Sequence, residues 1–219
     1  MELKGKKIAF LGDSITEGCG VSDRSKLYWQ VLGRSTGAFV SANGIGGSRL
    51  AKQPGVTEFV GAERYFELRV EELDPDADVV VVFGGVNDFG GSNAPLGKMS
   101  DREPDTFYGA CHSLFLKLLN RYPTAEIVIM TPLHCGNEWV YVNYDQTHTR
   151  NVADLEGYVD VLREVAAYYG LPVLDLFRTS GMQSDVPIIR EVLLPDWLHP
   201  NDFGHERIAR RLEGFLRML

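Results

Sequence analysis

Two apolar runs in the middle of the chain constrain the fold more than any other feature. The segments DVVVVFG (78–84) and EIVIMT (126–131) are rich in β-branched residues and show no alternation of apolar with polar side chains. A strand with one solvated face alternates, whereas a strand covered by helices on both faces does not. These runs therefore predict inner strands of a parallel sheet that lies between two layers of helices.

Short apolar runs alternate with amphipathic stretches along the rest of the chain. The sequence predicts strands at 7–11, 37–42, 78–84, 126–131 and 172–177. It predicts helices at 25–35, 57–73, 105–120, 147–169 and 203–218. Because alternating strands and helices connect by right-handed crossovers, we expect an α/β fold: a single domain over residues 1–219, built as a three-layer α/β/α sandwich around a five-stranded parallel sheet in the doubly wound, flavodoxin-like order.

Composition limits the kinds of partner. The chain has 22 basic and 30 acidic residues and a net charge of −8, so it has no basic surplus for binding nucleic acid or an anionic membrane surface. No run reaches membrane-spanning length, and the first residues lack the pattern of a signal peptide. We therefore expect a cytoplasmic protein that acts on a small molecule. The three cysteines show neither disulfide nor zinc-site spacing, and no metal or organic cofactor is predicted.

Polar clusters follow the first three predicted strands and precede the last predicted helix. They are GDSITEG (12–18), ANGIGGSR (42–49), GGVNDFGG (84–91) and PDWLHPND (195–202). Because the carboxyl ends of parallel strands lie at one edge of a sheet, we expect the first three clusters to converge there.

Each cluster alone has a purely structural interpretation. Ser14 can cap a helix, the glycines of 44–47 permit a tight loop, and Asn87 and Asp88 are ordinary turn residues. The glycines do not form a dinucleotide-binding fingerprint, because G-x-G-x-x-G would require a glycine in place of Arg49.

In combination the same residues can form a catalytic site. Asp196 lies three residues before His199, a spacing at which a carboxylate can fix the imidazole tautomer. An asparagine amide and a glycine N–H can both donate to a developing oxyanion. The other histidines in predicted helices, His112 and His205, are expected to be packed or exposed without a catalytic role.

Taken together, the four clusters resemble the motifs of the SGNH hydrolases, also called the GDSL esterase and lipase family. GDSI (12–15) corresponds to G-D-S-L, GVND (85–88) to G-x-N-D, and DWLH (196–199) to D-x-x-H, in the order of the family. Isoleucine replaces leucine after the serine, which removes no polar group. The resemblance spans nearly the whole chain.

The resemblance implies a serine esterase that needs no cofactor or metal. The catalytic residues that it implies are Ser14, Asp196 and His199, and the oxyanion hole would be formed by Ser14, Gly47 and Asn87. Gly47 is the best match to the glycine of the family, and Gly46 is the alternative. Asp13 is assigned to the structure of the corner.

The resemblance also implies the substrate class, namely esters of short acids and often O-acetyl groups on carbohydrates. An acyltransferase and a lysophospholipase or thioesterase could use the same residues, and a non-catalytic flavodoxin-like module that binds a small ligand is a more distant alternative. Four aromatic residues are candidates for substrate binding: Trp139, Tyr141, Tyr144 and Trp197. The segment 132–150, which carries the first three, could equally form a cluster beneath a long loop.

Overall fold

A computed structural model of the chain describes residues 1–54, 61, 63–92, 94–138 and 152–219. Its strands are β1 (Lys7–Gly12), β2 (Phe39–Gly44), β3 (Val79–Phe83), β4 (Glu126–Met130) and β5 (Val173–Leu174). They form one parallel sheet in the order β2-β1-β3-β4-β5. The predicted α/β class and strand order are confirmed.

Helices connect the strands and cover both faces of the sheet. They are α1 (Ser14–Glu17), α2 (Tyr28–Thr36), α3 (Phe66–Arg69), α4 (Phe107–Arg121), α5 (Leu155–Tyr168), α6 (Leu176–Thr179), α7 (Pro187–Leu193) and α8 (Asp202–Met218). Short 3-10 turns occur at Arg24–Lys26 and Val70–Glu72, and a π-helical turn occurs at Asp88–Ser92. Within the described ranges, no helix has both the length and the apolar character needed to cross a bilayer.

The strand side chains divide between two apolar layers. One layer includes residues of α2 and α8, and the other includes residues of α4 and α5. On β1, Ile8 and Phe10 belong to the first layer, whereas Ala9 and Leu11 belong to the second. Because both faces are covered, an inner strand carries apolar residues at every position, and this explains the unbroken run Val79–Phe83.

The strands that carry the polar clusters end at the same level. Gly12 at the end of β1 is in register with Gly44 on β2 and with Phe83 on β3. The strand order reverses at β1, because β2 lies on one side of it and β3 on the other. In doubly wound sheets the crevice beyond this point is where ligands bind. The segments that follow β1, β2 and β3 therefore meet at one place.

The predicted ends of two strands were wrong for local reasons. The strand predicted at 37–42 begins two residues later, because Gly37 adopts the left-handed conformation (φ 74°) that ends α2. The strand predicted at 172–177 is only Val173–Leu174. Its remaining residues turn into α6, because the Asp175 side chain caps that helix.

Two predicted helices begin later than expected, and a third is shorter than expected where it is described. The helix at 25–35 begins after a 3-10 turn, and the helix at 147–169 begins at α5, which the Asp154 side chain caps. The helix at 57–73 is α3 and a 3-10 turn in its described part. Residues 55–60, 62 and 139–151 lie outside the described ranges.

Candidate active site

Ser14 lies at the tight corner between β1 and α1. It is the first residue of the helix, and the Asp13 carboxylate caps the helix by accepting a hydrogen bond of 3.0 Å from the Ile15 N–H. Gly12 is required by a close approach, because a Cβ at that position would lie 1.9 Å from Thr16 Oγ1. The residues of the GDS motif therefore build the corner that places Ser14 at the carboxyl edge of the sheet.

Ser14 meets His199 and Asp196 at this edge. Ser14 Oγ lies 2.9 Å from His199 Nε2, and His199 Nδ1 lies 2.7 Å from Asp196 Oδ2. The other carboxylate oxygen of Asp196 accepts hydrogen bonds from the backbone N–H groups of Leu198 and His199, at 3.0 and 2.6 Å. A hydroxyl, an imidazole and a carboxylate in this order have the geometry of a nucleophile, a base and a group that orients the base.

The electrostatics of the loop favour an ionised Asp196. Partial burial raises the pKa of Asp196, but hydrogen bonds from the His199 N–H, the His199 ring and the Leu198 N–H bring the pKa below its usual value. An ionised carboxylate accepts from the Nδ1–H of the imidazole. In that tautomer Nε2 has a free lone pair, which can accept the proton of the Ser14 hydroxyl.

Asn87, the loop after β2 and the Ser14 corner bring three hydrogen-bond donors to the same edge. Asn87 Nδ2 donates to the Ser48 carbonyl oxygen at 3.0 Å. Because an amide nitrogen carries two N–H bonds, the second is left for a ligand. The backbone N–H groups of Ser14 and Gly47 have no hydrogen-bond acceptor among the described residues. The structure thus brings together the donors that the sequence singled out.

The structure distinguishes Gly47 from Gly46 as a donor. The Gly46 N–H donates to Glu17 Oε2 at 2.7 Å, so this N–H is already bonded to a carboxylate and is not available to an oxyanion. A Cβ at Gly46 would lie 3.7 Å from Ser14 Cβ, so this loop passes beside the serine. Gly47 has a φ of 72°, in the left-handed region that favours glycine. Gly47 is therefore the better candidate of the two.

Asp88 holds the loop after β2 against the loop after β3. Its two carboxylate oxygens accept hydrogen bonds from the Leu50 N–H at 3.1 Å and the Ala51 N–H at 2.8 Å. Complete burial raises the pKa of Asp88 to about 7, although these two bonds oppose the shift. With the bond between Asn87 and Ser48, the two loops are joined at several points. From the sequence, Asp88 is predicted as an ordinary turn residue and as the last position of the GVND motif, with no role of its own.

A buried guanidinium that the sequence analysis did not single out lies behind these loops. Arg69, in α3, is fully buried. Its Nη1 donates to the Gly12 carbonyl at 3.1 Å and to the Asn43 carbonyl and side-chain oxygens at 2.8 and 2.9 Å. Its Nη2 donates to Ser48 Oγ at 2.9 Å, and its Nε donates to the Arg64 carbonyl at 3.0 Å. Burial lowers the pKa of Arg69 to about 10, which leaves the side chain charged at neutral pH.

Trp197 is the aromatic candidate that the structure describes, and it lies inside the 196–199 loop. The residue is 45% exposed and has a φ of 71°, which is unusual for a residue other than glycine. Its backbone is bonded to the Leu194 carbonyl and the Gly136 N–H, both at 2.8 Å, and the Arg190 guanidinium lies 3.8 Å from the centre of its ring. The indole is therefore held against Arg190 from within this loop. The other candidates lie outside the described residues: Trp139, Tyr141 and Tyr144.

The other described histidines make contacts of their own. His205 is fully buried in α8, where its Nδ1 accepts a hydrogen bond of 3.1 Å from the Tyr28 N–H. Burial lowers the pKa of His205 to about 4. His112 is buried in α4, and His134 Nδ1 lies 2.9 Å from the carboxylate of Glu138. His112 and His205 are both packed, which is one of the two placements expected for them.

The described residues hold neither a metal site nor a disulfide. In that part of the chain, no three His, Cys, Asp or Glu side chains are grouped closely enough to hold a metal ion. Three cysteines are free thiols: Cys19, Cys111 and Cys135.

This fold, with a serine, a histidine and a carboxylate at the switch point of the sheet, defines an ester-bond hydrolase with the SGNH architecture. The chain belongs to the GDSL-like lipase/acylhydrolase family, whose model matches residues 10–207. The GDSL lipase Rv0518 of Mycobacterium tuberculosis is 26% identical, and the match covers 96% of this chain and 81% of that protein.

Solved structures share the fold over almost the whole chain. A protein from Lactobacillus plantarum is 31% identical, with a TM-score of 0.83, and the match covers 99% of this chain and 98% of that one. An acetyl xylan esterase, AlAXEase, is 22% identical, with a TM-score of 0.63, and the match covers 95% of this chain and 98% of that one. At this identity, the likeness to the acetyl xylan esterase shows a shared fold and no more.

Proposed function

We propose that the protein is a serine esterase that hydrolyses short-chain acyl esters, with O-acetyl groups on carbohydrates as its substrate class. The observation that carries the proposal is the contact of 2.9 Å between Ser14 Oγ and His199 Nε2. A serine hydroxyl is a weak nucleophile unless a neighbouring base takes its proton. His199 is in position to be that base, and Asp196 is in position to orient it.

In the first half of the proposed reaction, Ser14 Oγ attacks the ester carbonyl while its proton passes to His199 Nε2. Asp196 stabilises the imidazolium that forms. The carbonyl oxygen becomes an oxyanion, which accepts hydrogen bonds from the Ser14 and Gly47 backbone N–H groups and from the free N–H of Asn87. His199 then gives its proton to the leaving alcohol, and the acyl group stays on Ser14.

In the second half, water frees the acyl group by the same route. The water attacks the acyl carbonyl as His199 Nε2 takes its proton, and the same donors hold the new oxyanion. Collapse of this intermediate releases the acid and returns the proton from His199 to Ser14. The two halves together consume one ester and one water and yield an alcohol and an acid.

The substrate class rests on two observations. The acetyl xylan esterase shares the fold over 95% of this chain, which makes acetylated sugars the first substrates to test. Trp197, two residues before His199, is partly exposed, and its aromatic surface suits the apolar side of a sugar ring. The net charge of −8 disfavours strongly anionic esters.

A series of p-nitrophenyl esters from acetyl to octanoyl tests the proposal, followed by acetate release from acetylated sugars. We expect kcat/KM to be highest for acetyl, to fall with chain length, and to be lost in Ser14→Ala. Activity that survives in Ser14→Ala would contradict the mechanism, and a preference for octanoyl would contradict the substrate class. Transfer of the acyl group to an added sugar in place of hydrolysis would identify an acyltransferase.

A further inference from the structure

Arg69 takes no part in proton transfer in the proposed mechanism, yet it contacts the chain next to the candidate oxyanion donors. We propose that Arg69 is a positioning residue for the oxyanion hole, which it holds together by fixing the loop after β2 against the end of β1. This inference rests on the proposed esterase function.

The Arg69 guanidinium donates hydrogen bonds to segments that flank the candidate oxyanion donors. Nη1 donates to the carbonyl of Gly12, two residues before Ser14, at 3.1 Å. Nη2 donates at 2.9 Å to the hydroxyl of Ser48, the residue that follows Gly47. The same planar group thus connects the segments that carry two of the three candidate donors. A third segment, the end of β2 at Asn43, is bonded to Nη1 as well.

Ser48 extends this connection to the third donor, Asn87. Its hydroxyl accepts from Arg69 and donates to the Ile45 carbonyl at 2.7 Å, which closes the turn that contains Gly47. Its carbonyl oxygen accepts from Asn87 Nδ2 at 3.0 Å. The orientation of the Asn87 amide therefore depends on Ser48, and the position of Ser48 depends on Arg69.

The buried surroundings of the Arg69 side chain suit a guanidinium and not an ammonium. Arg69 is fully buried, and its described acceptors are carbonyl, hydroxyl and amide oxygens in several directions. The rigid fork of a guanidinium can reach several such acceptors at once, whereas an ammonium on a flexible stem cannot hold them in one plane. The guanidinium also lies 4.7 Å from the centre of the Phe66 ring, which fixes its plane.

Arg69→Lys tests the proposal, because it keeps the charge and removes the fork. We expect kcat for p-nitrophenyl acetate to fall by about 10²-fold with KM little changed, since small displacements of catalytic groups cost about that much. Arg121→Lys is the matched control. Arg121 is the last residue of α4 and lies at the opposite edge of the sheet from Ser14. It donates to the Tyr122 hydroxyl and to the Leu73 carbonyl. This control should keep the wild-type kcat.

A double-mutant cycle with Asn87→Ala separates positioning from a general structural role. If Arg69 acts through the oxyanion donors, the double variant should lose less kcat than the product of the two single losses, because part of the effect of Arg69 passes through Asn87. If Arg69 only supports the fold, the two losses should multiply. Urea unfolding of each variant shows whether it is folded under the assay conditions.

Ser48→Ala decides the question if Arg69→Lys does not fold. It removes the hydroxyl that Arg69 holds and keeps the carbonyl that Asn87 contacts, and we expect it to lower kcat by about tenfold or more. Wild-type kcat in Arg69→Lys, or in Ser48→Ala where Arg69→Lys does not fold, would overturn the positioning role alone, as would multiplied losses in the cycle. A wild-type protein that hydrolyses no ester and whose Ser14 takes no fluorophosphonate would overturn the esterase proposal and this inference with it.

Discussion

Asp196 binds His199 twice, with one carboxylate oxygen on the backbone N–H and the other on the imidazole Nδ1. The two residues are three positions apart, so the orientation of the base is set within one short loop. The rest of the fold brings this loop to Ser14, at the corner between β1 and α1. Gly20 contributes to that approach, because a Cβ there would lie 3.2 Å from His199 Cβ and 2.4 Å from the Pro200 carbonyl oxygen.

Asp196→Asn tests the role of this double contact. The amide oxygen can still accept the His199 backbone N–H, but the amide nitrogen would face Nδ1 with its own hydrogen and favour the wrong tautomer. We expect kcat to fall by roughly 10³–10⁴-fold with little loss of stability, because the Asp196 side chain is 54% exposed. Steady-state kinetics and urea unfolding measure the two effects. A variant that keeps most of the wild-type kcat would contradict the assignment.

Asn87→Ala tests the oxyanion hole. The variant loses the amide N–H that the oxyanion would accept, and removal of one such donor costs about 10²–10³ in kcat. It also leaves the Ser48 carbonyl without its 3.0 Å donor, which costs about 1 kcal/mol of stability. Asn120→Ala, at an exposed position of α4, is the control and should change neither quantity. Equal kcat in Asn87→Ala and Asn120→Ala would show that Asn87 is not part of the oxyanion hole.

Asp88→Asn tests the connection between the two loops. Both carboxylate oxygens accept backbone N–H groups, so an amide would place its own N–H against the N–H of Leu50 or Ala51. We expect a loss of about 2 kcal/mol in the free energy of unfolding, together with a lower kcat because the loop that carries Gly47 moves. Chemical denaturation and steady-state kinetics measure these changes. An unchanged unfolding free energy would show that Asp88 does not hold the loops.

His205 should make the protein less stable in acid. Its folded pKa is about 4, below the usual value of about 6.5, so the unfolded chain binds more protons between these pH values. The free energy of unfolding should therefore fall as the pH drops through this window, by about 3 kcal/mol on account of this residue. Asp13 and Asp88 act in the opposite direction, because burial raises their folded pKa values to about 6 and about 7.

A comparison of the wild type with His205→Asn separates the effect of His205 on stability from the effects of Asp13 and Asp88. The asparagine oxygen lies near the position of Nδ1 and can still accept the Tyr28 N–H. The variant should be less stable than the wild type at neutral pH, and the difference should shrink as the pH falls below about 6.5. Urea unfolding at several pH values gives both curves. Parallel curves would show that His205 does not titrate in this way.

The sequence predicted the parts of the site that follow from local rules. Apolar runs without alternation identify the inner strands, because such strands are covered on both faces. The D-x-x-H spacing predicts the contact between Asp196 and His199, because three residues suffice to turn the carboxylate back onto the ring. The contact between Ser14 and His199 joins residues 185 positions apart, and it was predicted only through the family resemblance.

Other parts of the site depend on side chains that meet only in three dimensions. The occupied N–H of Gly46 follows from the position of Glu17, which no local pattern indicates. Arg69 lies in a segment that was predicted as a longer amphipathic helix, where an arginine is expected at the surface, whereas a short helix buries it. The short helices α6 and α7 lack the length over which helical periodicity can be recognised.

The reactivity of Ser14 with a fluorophosphonate, followed by intact mass, is the decisive test of Ser14 as an activated nucleophile. We expect one adduct on the wild type, none on Ser14→Ala, and slow labelling of His199→Ala, because the imidazole 2.9 Å away activates the hydroxyl. No adduct on the wild type, or equal labelling of the wild type and Ser14→Ala, would contradict this role of Ser14.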